Sequence, residues 1–270
     1  MKRFLDAFRL LVRYQGISIR GQMQYKASFL LMSAGTFLIT GVEFLAILVL
    51  FGRFDAIAGW RLPEVAFLYG LVNVAFSLAD TFSRGFCVFA GMLKSGDFDR
   101  LLLRPRSTAL QLAGQELTMR RAGRLTQGLA VLLWSAANLG VAWSLGKTAL
   151  LLLAILGCCS LFYGIFVLQA TLAFWTTETL EIVNCVSYGG VFAMQYPLPI
   201  YQAWFRRFLT FVVPIGTVAY FPALALMGKA DPLGSPLAFQ VCAPLIGAAF
   251  LAMALQVWKL GVRRYQSAGG

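Results

Sequence analysis

The chain has 270 residues, of which 59% are hydrophobic and only 13% are charged, with a net charge of +12. A soluble globular domain usually carries about 25% charged residues, so this composition excludes an ordinary soluble domain and indicates a membrane protein. Sixteen of the 23 Lys and Arg residues lie in three clusters, at residues 1–26, 94–124 and 259–264, and each cluster flanks an apolar run. Such clusters mark cytoplasmic segments beside anionic lipid, and we therefore expect membrane lipid, not nucleic acid, as their partner.

Catalytic and metal-binding chemistry has little support in the sequence. The chain has no His, and its five Cys residues lack the Cys-x-x-Cys spacing of metal or redox sites. We predict no metal site and no catalytic residue.

Residues 1–26 predict an amphipathic helix. Lys2, Asp6, Arg9 and Arg13 form one polar stripe at helical spacing. The pattern suits a helix that lies in the cytoplasmic membrane interface with its apolar face in the lipid, although packing on protein fits it equally well. The segment lacks the apolar core and cleavage site of a removable signal peptide.

The rest of the chain, residues 27–270, predicts a single membrane domain. A run of about 18 apolar residues is long enough to cross a bilayer. We predict crossings at residues 27–51, 64–93, 125–145, 148–175, 180–195 and 236–258, with a tight turn at Gly146 and Lys147. The three basic clusters lie on the same side of the membrane if residues 208–227 enter the membrane and return to the side from which they came. The predicted fold is therefore an all-α integral membrane protein with six transmembrane helices, an N-terminal interface helix, a re-entrant hairpin before the last span and cytoplasmic termini.

Prolines interrupt the apolar sequence before the last span. Pro197, Pro199, Pro214 and Pro222 lie in residues 196–228. Broken helices at membrane depth are tolerated only against protein or a water-filled cavity, so we predict that this stretch is the re-entrant segment.

Four polar residues within the predicted spans are candidates for a translocation path. Asp80 and Arg84 are four residues apart and can pair on one helix face; either a functional pair or a structural salt bridge fits. Glu43 faces the path, pairs with a basic residue elsewhere or is protonated. Asn73 is of the type that forms hydrogen bonds between helices.

The run Gly146-Lys147-Thr148 resembles the end of a phosphate-binding loop, but the first glycine of that motif is replaced by Val141. We predict no nucleotide site here, so the chain would lack its own ATPase.

The most informative stretch is residues 94–106, KSGDFDRLLLRPR, in the cytoplasmic loop 94–124. It predicts a short helix with an apolar face and a charged rim, ended by proline. Such a helix suits docking in a groove of a partner, and packing on its own bundle is the alternative.

This stretch resembles the segment between spans two and three of permeases in the type-two ABC exporter superfamily. The matching residues are Gly96, Asp97, Phe98, Asp99, Arg100, Leu101, Leu102, Leu103, Arg104 and Pro105. The proline-bearing segment from Tyr196 and Pro197 onward is also similar. The likeness is greatest to the subfamily of about this length whose members are encoded as permease pairs beside an ATPase.

The resemblance implies that residues 96–105 form the coupling helix that meets an ABC ATPase subunit. It further implies two ATPase copies that carry ATP and Mg²⁺, no cofactor in this chain, and a second permease in a homodimer or, more often, a heterodimer. The implied function is ATP-driven export of a hydrophobic or amphipathic substrate across the bacterial inner membrane. The alternative is a self-sufficient secondary transporter or channel, with Glu43, Asp80 and Arg84 as its charged candidates.

Overall fold

A computed structural model describes residues 13–14, 16–17, 19–115, 121–176 and 180–266, with only the backbone described at 180–183. Within the predicted interface helix, residues 13–14, 16–17 and 19–23 are helical. Residues 24 and 25 form a turn, and Lys26 already belongs to the next helix. Residues 1–12, 15 and 18 lie outside the described residues.

The described part of the chain is helical, apart from loops and one isolated bridge between Ile57 and Trp60. A 3₁₀ turn at Leu198–Ile200 and a π-helical turn at Phe208–Val212 accompany the α-helices. In chain order these are α1 Lys26–Arg53, α2 Leu62–Phe82, α3 Arg84–Cys87, α4 Phe89–Ser95, α5 Asp97–Leu102, α6 Thr108–Gln115, α7 Ala122–Asn138, α8 Leu145–Leu172, α9 Leu180–Met194, α10 Ala203–Arg207, α11 Ile215–Met227, α12 Leu237–Cys242 and α13 Pro244–Arg264.

Four of the described helices, α1, α2, α8 and α13, are long and apolar enough to cross a membrane. Residues Ala203–Val212 and Ile215–Met227 would give a fifth span if they crossed as one, but they meet at an angle of 96°. Helices α7 and α9 contain 17 and 15 residues, which is short for a full crossing. The all-helical membrane class is thus supported with four to five candidate spans, and the count of six stays a prediction.

The predicted second span, residues 64–93, is not one helix. Helix α2 ends at Phe82, and the side chain of Ser83 turns back to donate to the carbonyl of Asp80 at 3.3 Å. Beyond this break α3 packs closely on α6, where a Cβ added at Gly85 would lie 2.0 Å from the carbonyl oxygen of Leu112. The interruption at Ser83 therefore coincides with a close contact between α3 and α6.

The predicted turn at Gly146 and Lys147 is also wrong, because both residues lie in the first turn of α8. Ser144 precedes this helix, and its hydroxyl accepts a hydrogen bond from the Lys147 amide at 3.3 Å. A serine in this position satisfies one of the free amides at a helix N-terminus. The connection between α7 and α8 is instead formed by residues 139–144.

Helix α2 occupies the centre of the bundle, between α7 and α8, while α11 and α13 pack on the other sides of α8. Small residues permit these contacts, as is common between membrane helices. A Cβ at Gly70 of α2 would lie 2.8 Å from Leu132 of α7, and one at Gly247 of α13 would lie 1.9 Å from the carbonyl oxygen of Gly157. Helix α1 is peripheral: it packs on α7, and only Thr40 and Ile47 are buried along it.

Candidate functional site

The predicted coupling stretch forms an elbow between α4 and α5. Gly96 joins the two helices with a φ of 75°, a left-handed conformation that glycine adopts without steric cost. The Ser95 hydroxyl donates to the Asp97 carboxylate at 2.6 Å, and Asp97 lies 3.6 Å from Arg100 in an exposed ion pair. These contacts define how α5 leaves the elbow.

The inner face of α5 is anchored by Phe98 and Leu101, which are 0% and 8% exposed. The Phe98 ring lies 5.0 Å from both Phe89 and Tyr265, and 5.7 Å from Phe174. Most of these rings meet edge to face, the arrangement that aromatic pairs prefer. The group, called here the aromatic cluster, comprises Phe86, Phe89, Phe98, Phe174, Trp258 and Tyr265.

The outer face of α5 presents apolar surface with a basic rim. Leu102 is 41% and Leu103 is 86% exposed, and Arg100, Arg104 and Arg106 around them are exposed as well. The three consecutive leucines therefore divide: Leu101 faces inward, and the other two face outward. We call the exposed residues 102–106 the docking surface, after the role that the sequence predicts for them.

Two side chains hold the docking surface to the bundle. The Gln111 amide of α6 donates to the carbonyls of Leu101 and Arg106, each at 3.1 Å. The Trp258 indole of α13 donates to the Thr108 hydroxyl of α6 at 3.1 Å. Because the same indole belongs to the aromatic cluster, α5 and α6 are tied to the end of α13.

The ten predicted coupling residues thus lie together and differ in their exposure. Phe98 and Leu101 are buried, Gly96 and Asp99 are half-buried, and the remainder are exposed: Asp97, Arg100, Leu102, Leu103, Arg104 and Pro105.

The candidate pathway acids are both ion-paired with arginines near the start of α7. Glu43 Oε1 lies 3.6 Å from Arg124 Nη2, and Asp80 Oδ2 lies 2.5 Å from Arg121 Nε. Arg121 also donates to the Tyr188 hydroxyl of α9 at 2.9 Å. Of the three possibilities for Glu43, pairing with a basic residue is the one that the structure contains.

The remaining candidates within the bundle occupy different settings. Arg84 begins α3, beyond the end of α2, and lines a cavity of about 500 Å³ together with Asp80 and Arg121. Asn73 is fully buried at the contact of α2 with α7, where its amide donates to the carbonyl of Tyr69 at 2.9 Å. The amide of Asn73 therefore makes its hydrogen bond within its own helix.

The proline-bearing segment forms the bent pair described above. Pro197 precedes the 3₁₀ turn, Pro199 lies in it, Pro214 precedes α11 and Pro222 lies inside α11. Because Pro222 has no N–H, one carbonyl of the preceding turn loses its helical partner. At the bend, the Thr217 hydroxyl donates to the carbonyl of Thr210 at 2.8 Å, which links α11 to the π-helical turn.

A clamp that the sequence did not reveal lies at the opposite end of α11. Lys229 Nζ lies 2.7 Å from the Glu64 carboxylate and 2.8 Å from the carbonyl oxygen of Gly59, and it stands 4.3 Å from the centre of the Trp60 ring. This contact joins the loop before α2 to the end of α11.

The sequence does not identify Arg121 and Arg124 as these partners, because the basic cluster at 94–124 places both in the cytoplasmic loop. Their spacing of three residues, continued by Gln127 and Gly128, places one stripe along a helix face. That periodicity is the sequence feature that indicates a helix face carrying both arginines. Among the described residues, no group of three or more Cys, Asp or Glu is placed to hold a metal ion.

Comparison with known proteins gives one family. The sequence model described as ABC-2 family transporter protein matches residues 37–269. No curated protein and no solved structure matches the chain.

Proposed function

Because the chain belongs to the ABC-2 family of transporter membrane proteins, we propose that it is the permease of an ATP-driven exporter, energised by a separate ATPase subunit. In this role it forms the membrane path and does not hydrolyse ATP. The ATP and Mg²⁺ are carried by the partner.

The docking surface is the observation on which this proposal rests. An exposed leucine such as Leu103 is stabilised by about 1.5–3 kcal/mol when it enters an apolar pocket. The surrounding arginines favour a partner groove with an acidic rim. A short, rigid, apolar helix with charged edges is suited to such a groove.

The inner face of α5 suggests how force reaches the bundle. Closure of two ATPase copies around ATP would push on the docking surface, and Phe98 would carry the displacement to Phe174 and Trp258. These rings lie at the ends of α8 and α13, which pack closely on each other. A partner shifts the equilibrium between two conformations of the bundle only if its contacts differ between them. A docked α5 would supply such contacts.

The translocation path is proposed to lie between this chain and a second permease, identical or more often different. Helices α1 and α9 would line it, whereas α2 lies buried at the centre of the bundle, and the segment 196–228 would cap it from the outer side. We propose six crossings, the interface helix at 1–26 and cytoplasmic termini, consistent with the basic clusters. The cargo would be hydrophobic or amphipathic, and the membrane the bacterial inner membrane.

The alternative of a self-sufficient secondary transporter has less support. Ion coupling requires acids that gain and lose a cation within the membrane. Glu43 and Asp80 are instead each held by an arginine, which favours a structural role for both.

The test is to purify the permease with its ATPase from membranes and to measure co-purified ATPase and Mg-ATP hydrolysis. We expect Leu103→Asp and Arg104→Glu to reduce the bound ATPase at least tenfold, from lost burial and reversed charge. The matched control is Leu145→Asp, because Leu145 is 89% exposed and an acid suits the first turn of a helix.

Two results would contradict the proposal. One is ATP hydrolysis or transport by the permease purified alone. The other is full retention of the ATPase subunit by both docking-surface variants.

A further inference from the structure

A second site lies beside the docking surface, in a groove of about 760 Å³ between α6 and α13. Its volume lies within the range of roughly 300–1,000 Å³ typical of small-molecule sites. The floor is formed by Phe86 of α3, Tyr163 of α8 and Trp258 of α13. Ala113 and Leu255 continue the apolar walls.

The rim of this groove is basic. Lys259 and Arg263 lie four residues apart on α13, so they share one helix face, and both are exposed. Ser107 and Thr108 line the opposite edge, where α6 begins. No Asp or Glu belongs to the described lining. The amides in the first turn of a helix have no intrahelical acceptor and favour anions.

We propose that this groove binds one anionic diacyl phospholipid. The phosphate would lie between Lys259, Arg263 and the first turn of α6, and an acyl chain would occupy the apolar floor. Two features favour a lipid. The groove is open along α13, whose neighbouring Met253 and Leu260 are exposed apolar residues. The basic end of a spanning helix also lies at the headgroup level, where basic pockets between helices bind anionic lipids.

The site would link the lipid to the docking surface. Its floor residue Trp258 donates to Thr108 and packs against Phe98. A lipid in the groove would therefore contact both α6 and the aromatic cluster, and stabilise their present arrangement. The binding proposal rests on the membrane placement of α13 and does not depend on ATP-driven transport.

The experiment is native mass spectrometry of the full-length protein in a non-ionic detergent. Phosphatidylglycerol, phosphatidylcholine and inorganic phosphate are titrated separately. We expect the phosphatidylglycerol complex at least tenfold tighter than the phosphatidylcholine complex, and no competition by phosphate at the same concentrations. Equal binding of the two lipids, or displacement by free phosphate, would overturn the proposal.

Variants then locate the site. Each basic residue near the surface contributes about 1 kcal/mol to anionic lipid binding, which is about fivefold. Lys259→Gln with Arg263→Gln should weaken phosphatidylglycerol binding about 25-fold, and the exchange Lys259→Arg with Arg263→Lys should retain it. The matched control is Arg53→Gln with Arg207→Gln, two exposed arginines outside this groove.

A change that leaves charge untouched separates the groove from general surface attraction. Ala252 lines the groove and is exposed, so Ala252→Phe fills it from the lipid side. We expect loss of phosphatidylglycerol binding in this variant. Undiminished binding in Ala252→Phe, or equal weakening in the Arg53 and Arg207 control, would refute the assignment.

Discussion

Replacement of Phe98 by Ala should detach α5 from the bundle without altering its outer face. Phe98 is fully buried, and Phe→Ala substitutions in cores cost about 3–5 kcal/mol. The expected cost for Phe98→Ala is at the low end, about 3 kcal/mol, because α5 lies at the edge of the bundle. Since 1.4 kcal/mol is a tenfold change in equilibrium, the opening equilibrium of α5 should rise by roughly 100-fold.

Hydrogen exchange in detergent micelles measures that opening directly. The relevant amides include Leu103, which donates to the carbonyl of Asp99 at 3.3 Å. Protection of residues 101–103 should fall in Phe98→Ala, by up to the full 100-fold if they exchange through opening of α5. The matched variant is Leu103→Ala: its side chain is 86% exposed, and surface truncations usually change stability by less than about 0.5 kcal/mol.

The two variants should separate anchoring from docking. Leu103→Ala should preserve protection and weaken association with the ATPase subunit. The reasoning is refuted if Phe98→Ala leaves protection of α5 unchanged, or if Leu103→Ala lowers it equally.

Three further predictions concern the bundle. Gly123→Leu should lower the unfolding midpoint in detergent, because a Cβ at this position would lie 1.8 Å from a carbonyl oxygen of α1. Gly35→Leu should leave the midpoint unchanged, because Gly35 has open space around it. Equal effects of the two substitutions would refute this account of the contact. Arg124→Gln should lower the free energy of unfolding by about 3–5 kcal/mol, because it leaves the carboxylate of Glu43 uncompensated. Adding Glu43→Gln should recover most of that loss in a double-mutant cycle of unfolding free energies. Strictly additive effects of the two substitutions would exclude coupling between the residues. Lys229→Gln should remove an ion pair and a cation–π contact, together about 1–2 kcal/mol, and speed amide exchange in residues 57–60; unchanged exchange there would argue against the clamp.

The long apolar runs were predictable from sequence because span length is set by the bilayer. Helices α1 and α8 agree with the runs at 27–51 and 148–175 to within three residues at each end. The run at 236–258 instead covers α12 and most of α13, which begins at Pro244 and ends at Arg264. The prediction failed where the apolar run continued across a helix break. At Ser83 the run goes on, but α2 ends and Gly85 packs closely on α6, a tertiary contact that the local sequence does not specify.

The sequence predicts which residues form the candidate site, but not which of them lie on the buried face of α5. Three consecutive leucines do not show which one points inward. The answer depends on rings at Phe174, Trp258 and Tyr265, which are distant in the chain and have no local signal. For the same reason the sequence could not assign the arginine partner of Asp80, since that contact joins the end of α2 to the start of α7.

The packing of Tyr265 on Phe98 also sets an order of events during biosynthesis. The α4–α5 elbow is translated early, yet one of the rings that pack on Phe98 belongs to Tyr265, which follows α13 in the sequence. The elbow therefore cannot reach its final packing until α13 has been inserted and the residues after it have left the ribosome.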